Sequence, residues 1–261
     1  MEPIYKYPRT QHLAGSGVQA GDEDLDVAPF RELAGRHLVV EEKMDGANAA
    51  ISFDADGRVR LQSRGHYLTG GPRERQFALF KGWAQRYTAD LWPLLGDRYV
   101  MYGEWLYGKH TTFYTDLPHY FMEFDILDTR ERTFLSTPQR MRMLERAPFV
   151  ASVAVLHQGA LPSMAALTAL LGPSLFIAAD HRERLRAVAH TVGVDAEQVL
   201  RETDPTGLME GLYVKVEDRG LVAARYKYVR SGFLQTVIDS GSHWMDRPLV
   251  PNQLRPGASL W

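Results

Sequence analysis

A lysine that can lose its proton is a nucleophile toward phosphorus, and Glu42-Lys43-Met44-Asp45-Gly46-Ala47-Asn48 places one where a phosphate could come close. Lys43 ends an apolar, strand-like run and is followed by an acid and a glycine. Its amine therefore lies beside backbone that a phosphate can approach, which a covalent nucleotidyl acceptor requires. The same residues also suit a solvated lysine ahead of a turn, because lysines are mostly exposed. Further polar clusters follow in order, each inside or at the edge of a hydrophobic run. Ser63-Arg64-Gly65-His66 offers a cation, and Tyr102-Gly103-Glu104-Trp105 places a carboxylate in an apolar strand, where an acid is costly without a partner. Phe121-Met122-Glu123-Phe124-Asp125-Ile126, Glu210-Gly211-Leu212-Tyr213-Val214-Lys215 and Arg225-Tyr226-Lys227-Tyr228-Val229 complete the series.

Strands are expected to carry most of these groups. The pattern predicts strands at His37 to Glu42, Ala49 to Phe53 and Val59 to Gln62, the last two joined through Asp54-Ala55-Asp56-Gly57, a hairpin signal. After Pro72, apolar residues at Phe77, Phe80, Trp83 or Ala84, and Tyr87 recur at helical spacing and predict a core-facing stripe. Two more strands are expected from Tyr99 to Leu106 and from Tyr120 to Leu127. Ser136-Thr137-Pro138 reads as a helix start. Helical patterns then continue over about 138–204, at Met164 to Leu171, His181 to Val192 and Ala196 to Arg201. Strands return at Leu212 to Val216 and Leu221 to Tyr228. Sheet, helical insertion and sheet together argue an α+β fold.

Composition narrows the function classes. The 261 residues carry 45% hydrophobic and 24% charged side chains, a globular balance, and a formal charge of -2 disfavours a strongly basic body that grips polyanions everywhere. No cysteine is present, so thiolate nucleophiles, zinc-thiolate sites and disulfides are excluded, which suits a reducing cytoplasm. No apolar run reaches the roughly 18 residues of a membrane span, so a membrane partner is not expected. Asp22, Asp24 and Asp26 imitate the start of a calcium loop, but Val27 stands where that loop needs glycine, and a solvated acidic loop is the reading. Gly108-Lys109-His110 lacks the spacing of a phosphate-binding P-loop. His66, His110 and His119 have no metal-ligand spacing.

In order and content, the clusters from residue 43 to 230 resemble the collinear motifs of the covalent nucleotidyltransferase superfamily of polynucleotide ligases and messenger-RNA capping enzymes, and most closely its ATP-dependent RNA ligase branch. Tyr7-Pro8-Arg9-Thr10-Gln11-His12-Leu13 is a less specific lead-in. The resemblance implies an ATP-grasp-like nucleotidyltransferase fold of antiparallel sheets flanked by helices. It implies that Lys43 attacks the α-phosphorus of ATP and becomes a lysyl-adenylate, with Asp45 and Gly46 completing that motif. Glu104 resembles the glutamate on the ribose hydroxyls and Phe124 the aromatic that stacks on adenine. Arg64 falls where the family has a basic residue near ribose or phosphates. Glu210 resembles the carboxylate that serves the metal, Mg2+ or Mn2+, and Lys215 the lysine at the end of that strand. Lys227 matches the lysine on the α-phosphate. Arg225 stands where the family often has another lysine, and reads either as a bidentate phosphate contact or as a structural ion pair.

Only 34 residues follow Lys227 and 42 precede Lys43, so a single nucleotidyltransferase domain over 1–261, with no C-terminal oligonucleotide-binding barrel, is expected. Asn48 also resembles the RNA ligase branch, where DNA ligases and capping enzymes frequently have arginine. The implied partner is RNA with a 5′-phosphate and a 3′-hydroxyl, ends that a healing kinase or phosphatase would prepare. The implied role is RNA repair. A DNA nick-sealing ligase, a guanylyltransferase and a non-catalytic nucleotide- or RNA-binding module stay open as alternatives.

Overall fold

The computed structural model describes residues 4–18, 26–240 and 247–261. Asp22 and Asp24 of the acidic stretch lie outside them. Two short strands, β1 (Gln11–Leu13) and β2 (Val27–Ala28), precede the central strands β3 (Leu38–Lys43), β4 (Ala47–Phe53) and β5 (Val59–Ser63). Helices α1 (Ala78–Arg86) and α2 (Thr88–Leu95) lead to β6 (Tyr99–Trp105), β7 (Phe121–Asp128) and β8 (Thr133–Phe134). Next come α3 (Thr137–Leu144), β9 (Ala151–Ser152), β10 (Val155–Gly159), α4 (Met164–Thr168), α5 (His181–Val192) and α6 (Ala196–Arg201). Strands β11 (Gly211–Asp218) and β12 (Leu221–Val229) and helix α7 (Ser231–Asp239) follow.

The strands form two six-stranded sheets of different make-up. One sheet has the order β10-β3-β11-β12-β1-β2, and the other β5-β4-β6-β7-β8 with β9 beside β7. Pairing is mostly antiparallel, as short turns allow, with β1 running parallel to both its neighbours. The Asp54 carboxylate accepts from the Asp56 and Arg58 backbone N–H groups, and Gly57 takes φ +76°, which closes the expected hairpin. Phe80, Trp83 and Ala84 of α1 are buried against Ile51, Met101, Trp105 and Phe121 of the second sheet. Burying each large apolar chain contributes about 1.5–3 kcal/mol, so the helical stripe is a core device.

The structure departs from the sequence reading in three places. The stretch 138–204, expected to be helical, also contains β9 and β10, and β10 covers the edge of β3. Val155-Leu156-His157 is a short β-prone run whose partner is far away in sequence, so local periodicity does not reveal it. The expected N-terminal loop holds two strands of only three and two residues, too short to show alternation. Ser136 starts α3 without a side-chain cap; instead Glu217 accepts from both the N–H and the hydroxyl of Thr137. Among the described residues, no helix is long and apolar enough to cross a membrane.

Candidate nucleotide site

The turn Met44-Asp45-Gly46 carries the chain from β3 in one sheet to β4 in the other, so Lys43 stands where the sheets part. A cleft of about 1480 Å3 opens there, and Lys43, Asp45, Gly46, Arg64, Glu104, Phe124, Glu210 and Lys227 all line it. Register explains the convergence. Lys43 lies opposite Gly211, so Glu210, one residue earlier, reaches it, and the Lys43 amine donates to Glu210 Oε1 at 2.6 Å. One row along, Tyr213 pairs with Glu41 on one side and Lys227 on the other. Glu104 faces the cleft from β6, opposite Asn48.

The electrostatics are those of a crowded acid and base cluster. Burial pushes the Glu104 carboxyl up to about 8, with Lys43 and Arg64 opposing the rise and Glu210 adding to it. Burial likewise pushes Glu210 up to about 7 against the pull of Lys43. For Lys43, burial works to lower its value, but the charge and hydrogen bond of Glu210, helped by Glu104 and Asp45, outweigh it and raise it. The amine is therefore protonated in this state. Its side chain is 22% exposed, whereas Glu210 is 2% exposed.

The small residues have steric roles. A Cβ on Gly46 would sit 2.6 Å from Leu106 Cδ2, 2.8 Å from Trp105 O and 2.9 Å from Glu104 Cγ. Glycine there makes room for the Glu104 strand, a closer demand than the approach of a phosphate. The Asp45 carboxylate accepts from the backbone N–H groups of Thr111 (2.8 Å) and Thr112 (2.6 Å), and its own N–H donates to the Tyr114 hydroxyl. Asp45 thus fixes the turn against the connection between β6 and β7.

Phe124 reaches the cleft through a β-bulge. Tyr102 pairs with Asp125 but Gly103 with Glu123, which leaves Phe124 as the extra residue on β7. A bulge re-aims a side chain, which accounts for Phe121 and Ile126 packing in one core while Phe124 faces elsewhere. Gly103 permits this, since a Cβ there would meet the Phe121 ring at 2.5 Å.

Lys215 and Arg225 are not among the residues lining the cleft. Lys215 is fully buried, bonded to Glu41 and to the Phe124 carbonyl, with Asp125 at 3.5 Å. Arg225 donates to Asp125 at 2.9 Å and stacks on Phe134, so of its two readings the geometry has the structural ion pair. Arg140, also fully buried, joins this layer through Glu41 (2.7 Å) and Glu123 (2.8 Å). Sequence reading gave Glu41, Tyr7, Thr10 and Tyr213 no role of their own, the last three standing only as members of motifs. Two adjacent acids, Glu41 and Glu42, closing an otherwise apolar strand were the available signal.

Glu210 Oε2 is buried without a hydrogen-bond partner. A divalent cation bound chiefly by phosphate oxygens needs only one or two protein carboxylates, so the donor set fits Mg2+ or Mn2+. No group of three or more His, Cys, Asp or Glu able to hold a metal by itself occurs among the described residues.

A family model described as RNA ligase matches residues 36–229. Among solved structures, a Naegleria gruberi RNA ligase variant with ATP and Mn is similar at 16% identity and a TM-score of 0.54, covering 80% of this chain and 54% of that one. Two apo variants of the same ligase are similar with a TM-score of 0.53 each, at 16% and 17% identity, again over 80% of this chain and 54% of theirs. The chain thus spans about half the length of the solved structures it matches. No curated protein matches. These likenesses show a shared nucleotidyltransferase fold.

Proposed function

Because the chain belongs to the RNA ligase family, we propose that it is an ATP-dependent RNA ligase that works through a lysyl-adenylate at Lys43. In the first step the neutral amine attacks the α-phosphorus, an N–P bond forms, and the bond to the pyrophosphate oxygen breaks. AMP then passes to an RNA 5′-phosphate. A 3′-hydroxyl attacks that phosphate, forming the phosphodiester and releasing AMP. The supporting observation is the Lys43 amine, open to the cleft and 2.6 Å from Glu210, on a wall shared with Arg64, Glu104 and Lys227.

Before attack Lys43 must lose its proton. Glu210 is the acceptor within hydrogen-bond reach, and the positive charge of Lys227 in the same cleft favours the neutral amine. Glu210 Oε2 would also give an oxygen to Mg2+ or Mn2+, which supplies neutralisation of phosphate charge. RNA with 5′-phosphate and 3′-hydroxyl ends is the proposed substrate, in repair. Breaks with other termini would first need a kinase or phosphatase, and residues 1–261 serve as one catalytic domain.

Incubation with α-labelled ATP and denaturing electrophoresis tests this reading. A labelled protein band that Lys43→Ala abolishes, with the fold intact by circular dichroism, is expected. Undiminished labelling of Lys43→Ala would overturn it. Chasing the adduct with nicked RNA and nicked DNA separates an RNA ligase from a DNA nick sealer.

A further inference from the structure

Beyond the amine, the cleft ends in an aromatic slot that the N-terminal segment helps to close. Tyr7 and Thr10 line the cleft with Phe124 and Tyr213. Tyr7 meets the Phe124 ring edge-on with centroids 5.1 Å apart, and the Tyr213 ring lies 6.3 Å from Phe124. Tyr213 sits across from Glu41, two residues along the strand from Lys43, a separation of about 6.6 Å. A purine whose α-phosphate lies at Lys43 and Lys227 therefore has its base in reach of this slot.

The hydroxyl groups of the slot form one chain. Tyr7 Oη donates to Asp125 Oδ2 at 2.5 Å, the Tyr7 and Tyr213 hydroxyls are 2.7 Å apart, and Thr10 Oγ1 is 3.1 Å from Tyr213 Oη. Proton count fixes its direction. Burial alone would raise Asp125, but Lys215, Arg225 and Arg140 hold it below the usual carboxylate range, so it is ionised and can only accept. Tyr7 has one proton and gives it to Asp125, so its oxygen accepts from Tyr213. Tyr213 has then given its own proton, so its oxygen accepts from Thr10. Thr10 is left with its proton turned away and its free lone pairs on the cleft side. It is 8% exposed, so a mismatched group there has little access to water.

We infer that Thr10 Oγ1 accepts a hydrogen bond from the 6-amino group of adenine and, by its fixed proton direction, sets the preference of the site for ATP over GTP. Guanine carries a carbonyl oxygen at that position, so two sets of lone pairs would face one another. The ion layer under the cleft thus reaches the nucleotide through Tyr7 and Tyr213, which order the proton of Thr10. This inference rests on Lys43 being the adenylate acceptor and adds the residue that selects the base.

The experiment measures initial rates of adduct formation on the full chain with α-labelled ATP, α-labelled GTP and the triphosphate of purine riboside, which lacks the 6-amino group. Thr10→Val is expected to lower the ATP-to-GTP preference about tenfold, chiefly through KM for ATP, the scale of one lost hydrogen bond. Thr10→Ser should restore it. Tyr213→Phe keeps the ring but frees the Thr10 proton to turn into the cleft, so labelling by GTP relative to ATP should rise. Wild type should lose about the same tenfold with purine riboside triphosphate, and Thr10→Val should lose nothing further with that analogue, because both changes delete one bond. A labelled wild type whose preference is unchanged in Thr10→Val and Tyr213→Phe overturns the inference alone, as does an additive loss in the cycle. A wild type that no nucleotide labels overturns the parent reading and this inference with it.

Discussion

Two charged clusters lie next to each other between the sheets, built from the same residue types, with β3 giving a member to each. One holds Lys43, Glu104 and Glu210 at the cleft, and the other holds Arg140, Lys215 and Arg225 with Glu41, Glu123 and Asp125 beneath it. In the lower cluster three cations meet three acids, and Asp125 is held down although it is fully buried, while burial raises its neighbour Glu123 against Arg140 and Lys215. In the upper cluster the acids are held up, Glu104 to about 8 and Glu210 to about 7, because burial outruns the cations that face them. Matched charges make a floor, and unmatched ones leave room for a ligand to complete the set. The alternation of a strand, with residues two apart sharing a face, is what stacks these clusters one row apart.

The largest test of that contrast compares removal of a cation from each cluster. Arg140→Ala strands Glu123 in the interior and leaves Glu41 with Lys215 alone, and breaking a buried pair in this way costs about 3–5 kcal/mol. Thermal unfolding should therefore drop steeply or the protein should fail to fold. Lys43→Ala removes a partly exposed amine from acids that burial already keeps close to neutrality, so stability should change by only about 1 kcal/mol while adduct formation disappears. Equal loss of stability in the two variants would erase the distinction between floor and site.

Much of this was legible in the chain. Lys43, Glu104 and Lys227 in strands, and Glu210 at the edge of one, occupy positions whose polarity conflicts with their surroundings, and such conflicts are conspicuous in a sequence. The α1 stripe and the β4 and β5 hairpin follow from local periodicity and turn chemistry. What stayed hidden depends on distant partners. Lys215 and Arg225 belong to the same motifs as Glu210 and Lys227, yet register and the Asp125 carboxylate turn them into the floor. Thr10 and Tyr7 are unremarkable until β1 pairs with β12 and brings them beside Tyr213. β10 is five residues long and gains its place only from the open edge of β3.

A smaller effect, in pH, sharpens the contrast from the acid side. The Glu104 value is raised from 4.5 unfolded to about 8 folded, so the native state binds this proton more tightly. Its contribution to stability is full below pH 4.5 and is lost as pH rises through about 8. Relative to Glu104→Gln, wild type should therefore lose Tm steadily across that window, by up to about 9 °C in all. Glu210 acts with the same sign up to about 7. Asp125 acts oppositely: its lowered value gives stability that is present at neutral pH and lost only in acid. A flat Tm difference between wild type and Glu104→Gln from pH 5 to 8 would show the cleft acids to be as well matched as those of the floor.

The smallest expected effect concerns a residue next to the nucleophile on the other face of its strand. Glu42 points away from the cleft amine, and its carboxylate accepts from the Ser174 hydroxyl and the Leu175 N–H. Burial raises Glu42 while these two bonds lower it. The insertion is thereby fastened to the last turn of backbone before Lys43, and Phe176 packs with Met44, Leu106 and Tyr114 in the same region. Ser174→Ala removes one of the two bonds, at a cost of about 1 kcal/mol in stability. Lys43 keeps Glu210, and Asp45 keeps Tyr114, Thr111 and Thr112, so the rate of adduct formation should fall by less than about threefold. If that rate instead collapses toward the Lys43→Ala level while Tm holds, the insertion does more than brace the strand, and the division between supporting and reacting groups must be redrawn to include it.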